Sequence, residues 1–125
     1  MAVSIVPPQP GLSAGLRLIR DTDCDATPEK NALGKAGTLF MLAVDNPNGA
    51  IEYVKVYDAQ DCTVGTTDPD FTFPIAANSK KTIFCPSGVA LDSGLSFACV
   101  SDGGGTAGTT NPASDVAVSA MAQDS

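Results

Sequence analysis

Asp21, Asp23 and Asp25 stand at alternate positions, the spacing at which a calcium-binding loop presents its first carboxylates. The rest of an EF-hand loop is missing. Ala26 holds the sixth position, where the sharp turn needs glycine, and Ala32 the twelfth, where a bidentate glutamate belongs. A looser calcium site on these three residues, or on Asp68 and Asp70, is the weaker alternative to plain solvated turns. The chain has no histidine, which removes the usual general base, the His-based triads and the zinc sites that require it. Gly103-Gly104-Gly105 runs on into Thr106-Ala107-Gly108 without a lysine or a helix signal, so it reads as a surface loop and not as a phosphate cradle. Cys24, Cys62, Cys85 and Cys99 are 38, 23 and 14 positions apart, which fits no zinc or redox motif. They are expected to be small buried hydrophobes, with Cys62 to Cys85 the first pairing to consider if a bridge forms. No catalytic residue, cofactor site or metal site is therefore expected, and the chain does not read as an enzyme.

The elements that would carry any site are short apolar runs separated by turn signals, repeated from Thr38 to Met121. Thr38–Val44 is apolar on both faces, which predicts a strand covered on both sides. Asn46-Pro47-Asn48-Gly49 predicts a hairpin into a returning strand, Ile51–Tyr57. Pro74 makes Phe71–Ile75 an edge strand, because proline gives the ladder no donor. Asn78-Ser79 turns the chain into Lys80–Cys85, Asp92-Ser93-Gly94 turns it into Leu95–Val100, and Val116–Met121 closes the fold. Leu16–Arg20 adds a strand, and Thr27–Asn31 could hold one helical turn. Six to eight strands at this spacing predict an all-β protein, a single antiparallel β-sandwich, jelly-roll-like or immunoglobulin-like. The expected organisation is an extended N-terminal arm over residues 1–15, stiffened by Pro7-Pro8-Gln9-Pro10, a sandwich over 16–121 and a frayed tail over 122–125.

Composition bounds the partners. The 125 residues carry a net charge of −7 from twelve aspartates, two glutamates and seven cationic residues. Such a surface disfavours nucleic acid, whose binding needs clustered Lys and Arg to release counterions. No run approaches the ~20 apolar residues of a membrane span, and the start lacks a secretory pattern, so cytoplasmic synthesis is expected. Two features point to interfaces. If Val54 and Val56 face the core, the opposite face of that strand shows Ile51, Tyr53, Lys55 and Tyr57, a large, partly apolar patch. An extended arm with Val3, Ile5 and Val6 could add itself to the sheet edge of a neighbouring copy. Val3, Ile5, Val6, Ile51, Tyr53 and Tyr57 are the expected interface residues.

Ala50-Ile51-Glu52-Tyr53-Val54-Lys55-Val56-Tyr57-Asp58-Ala59, followed by Thr63-Val64-Gly65-Thr66-Thr67-Asp68-Pro69, resembles small β-sandwich virion proteins of tailed bacteriophages. So does Gly94-Leu95-Ser96-Phe97-Ala98-Cys99, leading through a Gly/Thr-rich loop to Asp115-Val116-Ala117-Val118. The likeness covers residues 36–121. It implies a head decoration (cement) protein or a fibre-like component, without catalytic residues. The implied partners are the major capsid protein and other copies of the chain, often as a trimer. The implied location is the exterior of the virion head, after synthesis in the host cytoplasm. The alternative is a tail or fibre module that binds host-surface glycans. It is disfavoured because sugar sites usually rest on aromatic platforms and the chain has no Trp and two Tyr.

Overall fold

The structure is a computed structural model that describes residues 3–6, 16–103 and 105–124. Its elements are eight strands: β1 (Val3–Val6), β2 (Leu16–Cys24), β3 (Gly37–Asn46), β4 (Glu52–Asp58), β5 (Phe71–Ile75), β6 (Ser79–Leu91), β7 (Leu95–Val100) and β8 (Val116–Asp124). They form two antiparallel sheets, the larger ordered β1-β2-β8-β3-β6 and the smaller β5-β4-β7. The protein is all-β and compatible with a β-sandwich. No helix occurs among the described residues, so none is long and apolar enough to cross a membrane.

The one turn expected at Thr27–Asn31 is replaced by an extended pass along β7. Glu29 and Phe97 exchange two backbone hydrogen bonds, at 2.8 and 3.0 Å. The Cys99 N–H donates to the Asp25 carbonyl and the Ala32 N–H to the Leu95 carbonyl, both at 2.8 Å. Residues 25–32 thus act as an irregular fourth member of the smaller sheet. Thr27-Pro28 explains this locally, since the residue before a proline is pushed out of the helical region.

The Asn46-Pro47-Asn48-Gly49 turn is not a hairpin. β3 and β4 lie in different sheets, and the turn carries the chain across the sandwich. Two buried asparagines hold that corner. The Asn46 Nδ2 group donates to the carbonyls of Ala50, Ile75 and Ala76 at 3.1–3.2 Å, and its Oδ1 accepts from the Asn48 N–H at 3.0 Å. Asn48 in turn exchanges bonds with the backbone of Ser114, its Nδ2 donating at 2.9 Å and its Oδ1 accepting at 2.7 Å. Carbonyls that a hairpin would have paired are satisfied by amide side chains instead, as burial requires.

β3 obeys a single-sided rule, not a two-sided one. Leu39, Leu42 and Val44 enter the core with Ile19, Val54, Val56, Phe97, Val118 and Ala120, while Phe40, Met41 and Ala43 stay half-exposed. A β-bulge between Leu39 and Met41 inserts Phe40, so two consecutive large side chains fall on the outer side. On the partner strand, the stretch Cys85–Gly88 lies opposite that bulge, and β6 runs unbroken from Ser79 to Leu91. Gly88 sits at φ +80°, and a Cβ there would strike the Thr38 and Phe40 side chains. Pro74 lies on β5, an edge strand as expected. β8 continues to Asp124 with Ala122 fully buried, so residues 122–124 belong to the sandwich and not to a tail. All four cysteines are free thiols, the Cys62–Cys85 bridge is not formed, and Cys24, Cys62 and Cys99 are buried.

Candidate functional site

The register of the larger sheet lines up one continuous row across its outer face. Leu18 stands opposite Met121, Met121 opposite Met41, and Met41 opposite Phe84. Val6 occupies the next position of the same row, opposite Leu18. Phe84 is 69% exposed, Leu18 43% and Met121 36%. Phe40, pushed to the same side by the bulge, joins Leu16, Met41, Met121 and Phe84 around a shallow groove of about 420 Å³. Four neighbouring strands therefore present large apolar side chains to solvent in one band. Contiguous exposure of this kind is what marks an interaction surface, whereas scattered apolar residues are ordinary.

The same face turns polar one row further along. Arg20 lies opposite Ser119, Ser119 opposite Ala43 and Ala43 opposite Thr82; beyond them Asp45 stands opposite Lys80. Lys80 Nζ is 3.9 Å from the Asp45 carboxylate. Three of the other cations are committed elsewhere, Arg17 to Asp124 at 3.0 Å, Lys30 to Asp61 at 2.7 Å, and Lys55 to backbone carbonyls inside the molecule. Arg20 and Lys80 thus place two cations beside the apolar row, with Asp45 as the neighbouring carboxylate.

The outer face of the smaller sheet is covered at Lys55 and Tyr57. Lys55 and Tyr57 point away from Val54 and Val56, as alternation demands, but both are completely buried. Thr106 and Gly108, from the segment that follows β7, lie over Lys55. Lys55 Nζ donates to the Thr106 carbonyl at 3.2 Å and to the Gly108 carbonyl at 2.8 Å. The loop is fastened at its base by the Asp102 carboxylate, which accepts from the Thr110 N–H at 2.7 Å, and at its side by Thr106 Oγ1 donating to Asp68 at 2.5 Å. Burial lowers the Lys55 ammonium below its ordinary value. Burial likewise pushes the Tyr57 phenol up to about 12, and its OH has no hydrogen-bond partner.

Of the expected interface residues, Ile51 is exposed (43%) and Tyr53 is half-buried, so only part of the expected patch reaches solvent. Tyr57 is a correction: it is completely buried, with Cys62 close to its ring, and takes no part in an exposed patch. Val3 is half-buried against the core cluster, and β1 pairs with β2 of its own chain. The side chains of Ile5 and Val6 lie outside the described residues. Leu18, Met121, Met41, Phe40 and Phe84 were missed. Their signal is a single large apolar side chain at an outward position on each of several strands, as in Lys80-x-Thr82-x-Phe84, and it becomes a patch only once the register is known.

Asp21, Asp23 and Glu29 lie close enough to raise one another's pKa values, yet they form no metal site. Asp21 is buried, and its Oδ1 accepts from the Asp23 N–H at 3.1 Å. Desolvation, with the neighbouring Asp23 carboxylate adding to it, raises Asp21 to about 7. Asp25 Oδ1 accepts from the Thr27 N–H, and Asp70 Oδ2 from the Asp58 N–H. No group of three His, Cys, Asp or Glu side chains among the described residues is placed to hold a metal ion. Burial pushes the Cys24 and Cys62 thiols up and Cys99 to about 12, so these sulfurs stay protonated and un-nucleophilic at neutral pH. Comparison with models of known protein families, with curated proteins and with solved structures gave no match.

Proposed function

We propose that this chain is a structural subunit of a tailed-bacteriophage head, a decoration (cement) protein that docks on the shell exterior as an oligomer. The observation that carries this reading is the exposed apolar row of Leu18, Met121, Met41 and Phe84. We assign the row to contact with a second copy of the chain. Met and Phe are enriched at the apolar centres of protein interfaces, and the flanking Arg20 and Lys80 suit the acidic surface that another copy presents. A trimer is the favoured assembly, with the major capsid protein as the larger partner and the virion head as the location. Many such contacts, each modest, sum by avidity over a shell. The protonated thiols and dispersed carboxylates fit a role without catalysis.

The strand order favours a jelly roll over an immunoglobulin-like sandwich. In the immunoglobulin arrangement the last strand joins the sheet of the penultimate one. Here β8 lies between β2 and β3 in the larger sheet, while β7 and residues 25–32 lie in the other. That interleaving fits the double Greek key of jelly rolls, an architecture used in capsid and lectin domains. Fold alone assigns no function.

Sedimentation velocity on the purified chain and on Phe84→Asp with Met121→Asp tests the assignment. The original chain should sediment as an oligomer and the double variant as a monomer with an unchanged melting curve. Cryo-electron microscopy of virions should then place density for the chain on the head exterior. A wild-type chain that stays monomeric and binds no phage head defeats the reading.

A further inference from the structure

We infer that the gap between the β5 and β6 edges is a binding site for a small uncharged apolar molecule, such as a substituted benzene or a short alkyl chain. The two strands end their respective sheets on the same side of the sandwich and share no backbone ladder, being linked by Lys81 Nζ donating to the Pro74 carbonyl at 3.3 Å. Pro74 withholds a donor on β5, and Cys85–Gly88 opposite the β3 bulge bends β6. The space left is a cavity of about 210 Å³. Leu39 and Leu42 from β3 form its floor, Phe71 and Phe73 one wall, and Ile83 and Val89 the other, with the Cys85 thiol beside them. The two phenyl rings stack with centroids 6.2 Å apart and planes 10° from parallel, giving that wall a flat aromatic surface. Phe71 is partly exposed, which puts the entrance at its ring.

Size and chemistry select the occupant. An apolar cavity of about 150 Å³ stays dry and takes benzene, so this one accommodates a slightly larger ring or chain. No side chain with a nitrogen or oxygen lines it, so bound water has no partners there. A peptide segment is unsuited for the same reason, because each of its N–H and C=O groups would be buried unpaired. A neutral hydrocarbon-like group loses nothing by entering. The site is separate from the outer apolar row, since Ile83 and Leu42 project to the core side and Phe84 and Met41 to the other.

Cys85 supplies the reporter, being the one cysteine that is not buried. The full chain would be treated with p-xylene while the rate of Cys85 modification by an aromatic disulfide is followed, together with methyl NMR of Leu39 and Leu42 and thermal melting. We expect a saturable, several-fold slowing of the thiol reaction, shifted Leu39 and Leu42 methyl resonances, and a midpoint raised by about 5 °C at tenfold excess over Kd. Val89→Phe fills the cavity and should abolish all three effects. Val89→Leu, a smaller intrusion, should weaken them and serves if the phenylalanine does not fold. Unmoved methyl resonances at xylene saturation overturn the proposal, as do responses that persist undiminished in the filled variants.

Discussion

On the smaller sheet, Lys55 and Tyr57 point away from the core and are buried nonetheless; on the larger sheet, Leu18, Met121 and Phe84 point away from the core and are bare. Both faces carry large side chains at outward positions of neighbouring strands. At Lys55 the difference is the loop after β7, whose Thr106 and Gly108 carbonyls close over the ammonium, while no segment among the described residues closes over the row on the larger sheet. An outward side chain can be covered by its own chain or by a partner, and strand alternation alone does not distinguish the two. The loop covers Lys55 within the monomer, and the outer row of the larger sheet stays exposed.

The comparison breaks most severely at Lys55. Lys55→Ala removes the donor to two buried carbonyls and the packing of a long aliphatic stem, at a cost of about 3 kcal/mol. Urea denaturation should show that loss, and hydrogen exchange should show the Thr106–Gly108 segment opening. An unchanged midpoint would mean that the loop is held without its lysine. Between the two faces, Asp21 makes stability depend on pH. Its folded value of about 7 lies above the ~3.9 of an unfolded aspartate, so its favourable contribution is complete below about pH 4 and is lost as pH rises through 7. Between pH 5 and 8 the original chain should lose up to about 2–3 kcal/mol, a slope that Asp21→Asn flattens. Equal slopes in the two proteins would place the proton elsewhere.

Tyr57→Phe sharpens the contrast from the covered side. The hydroxyl is buried and unpartnered, so its removal should be neutral or stabilise by up to about 1 kcal/mol, read as a raised melting midpoint. A clear destabilisation would reveal a hydrogen bond there. The smallest effect on stability belongs to the bare side: Phe84→Ser should change folding free energy by less than about 0.5 kcal/mol while reducing self-association in sedimentation. Loss of stability equal to that of Lys55→Ala would show that Phe84 serves the monomer.

Much of the strand content was readable, because Leu95–Val100 and Val116–Met121 carry their apolar periodicity in local sequence, as does the edge position set by Pro74. The asparagine corner was not. Asn-Gly after an apolar run fits a hairpin and a sheet-to-sheet crossing equally well, and the carbonyls that decide between them belong to Ile75, Ala76 and Ser114, far along the chain. The candidate surface was legible least of all. Phe40 and Met41 share a face only because of a bulge, and they meet Leu18, Met121 and Phe84 only through pairings between distant segments. Lys55 was misplaced for the converse reason, since the Thr106 and Gly108 carbonyls that hold it lie about fifty residues away.

Because β8 is inserted between β2 and β3, the middle of the apolar row is supplied by the strand that a ribosome makes last of the eight. Until Met121 emerges, Leu18 and Met41 have no neighbour to join them, and the larger sheet is split in two. Long-range pairing of this kind folds slowly compared with local hairpins. A nascent chain therefore carries no finished apolar row, and the facing edges of β2 and β3 stay unpaired until β8 is made.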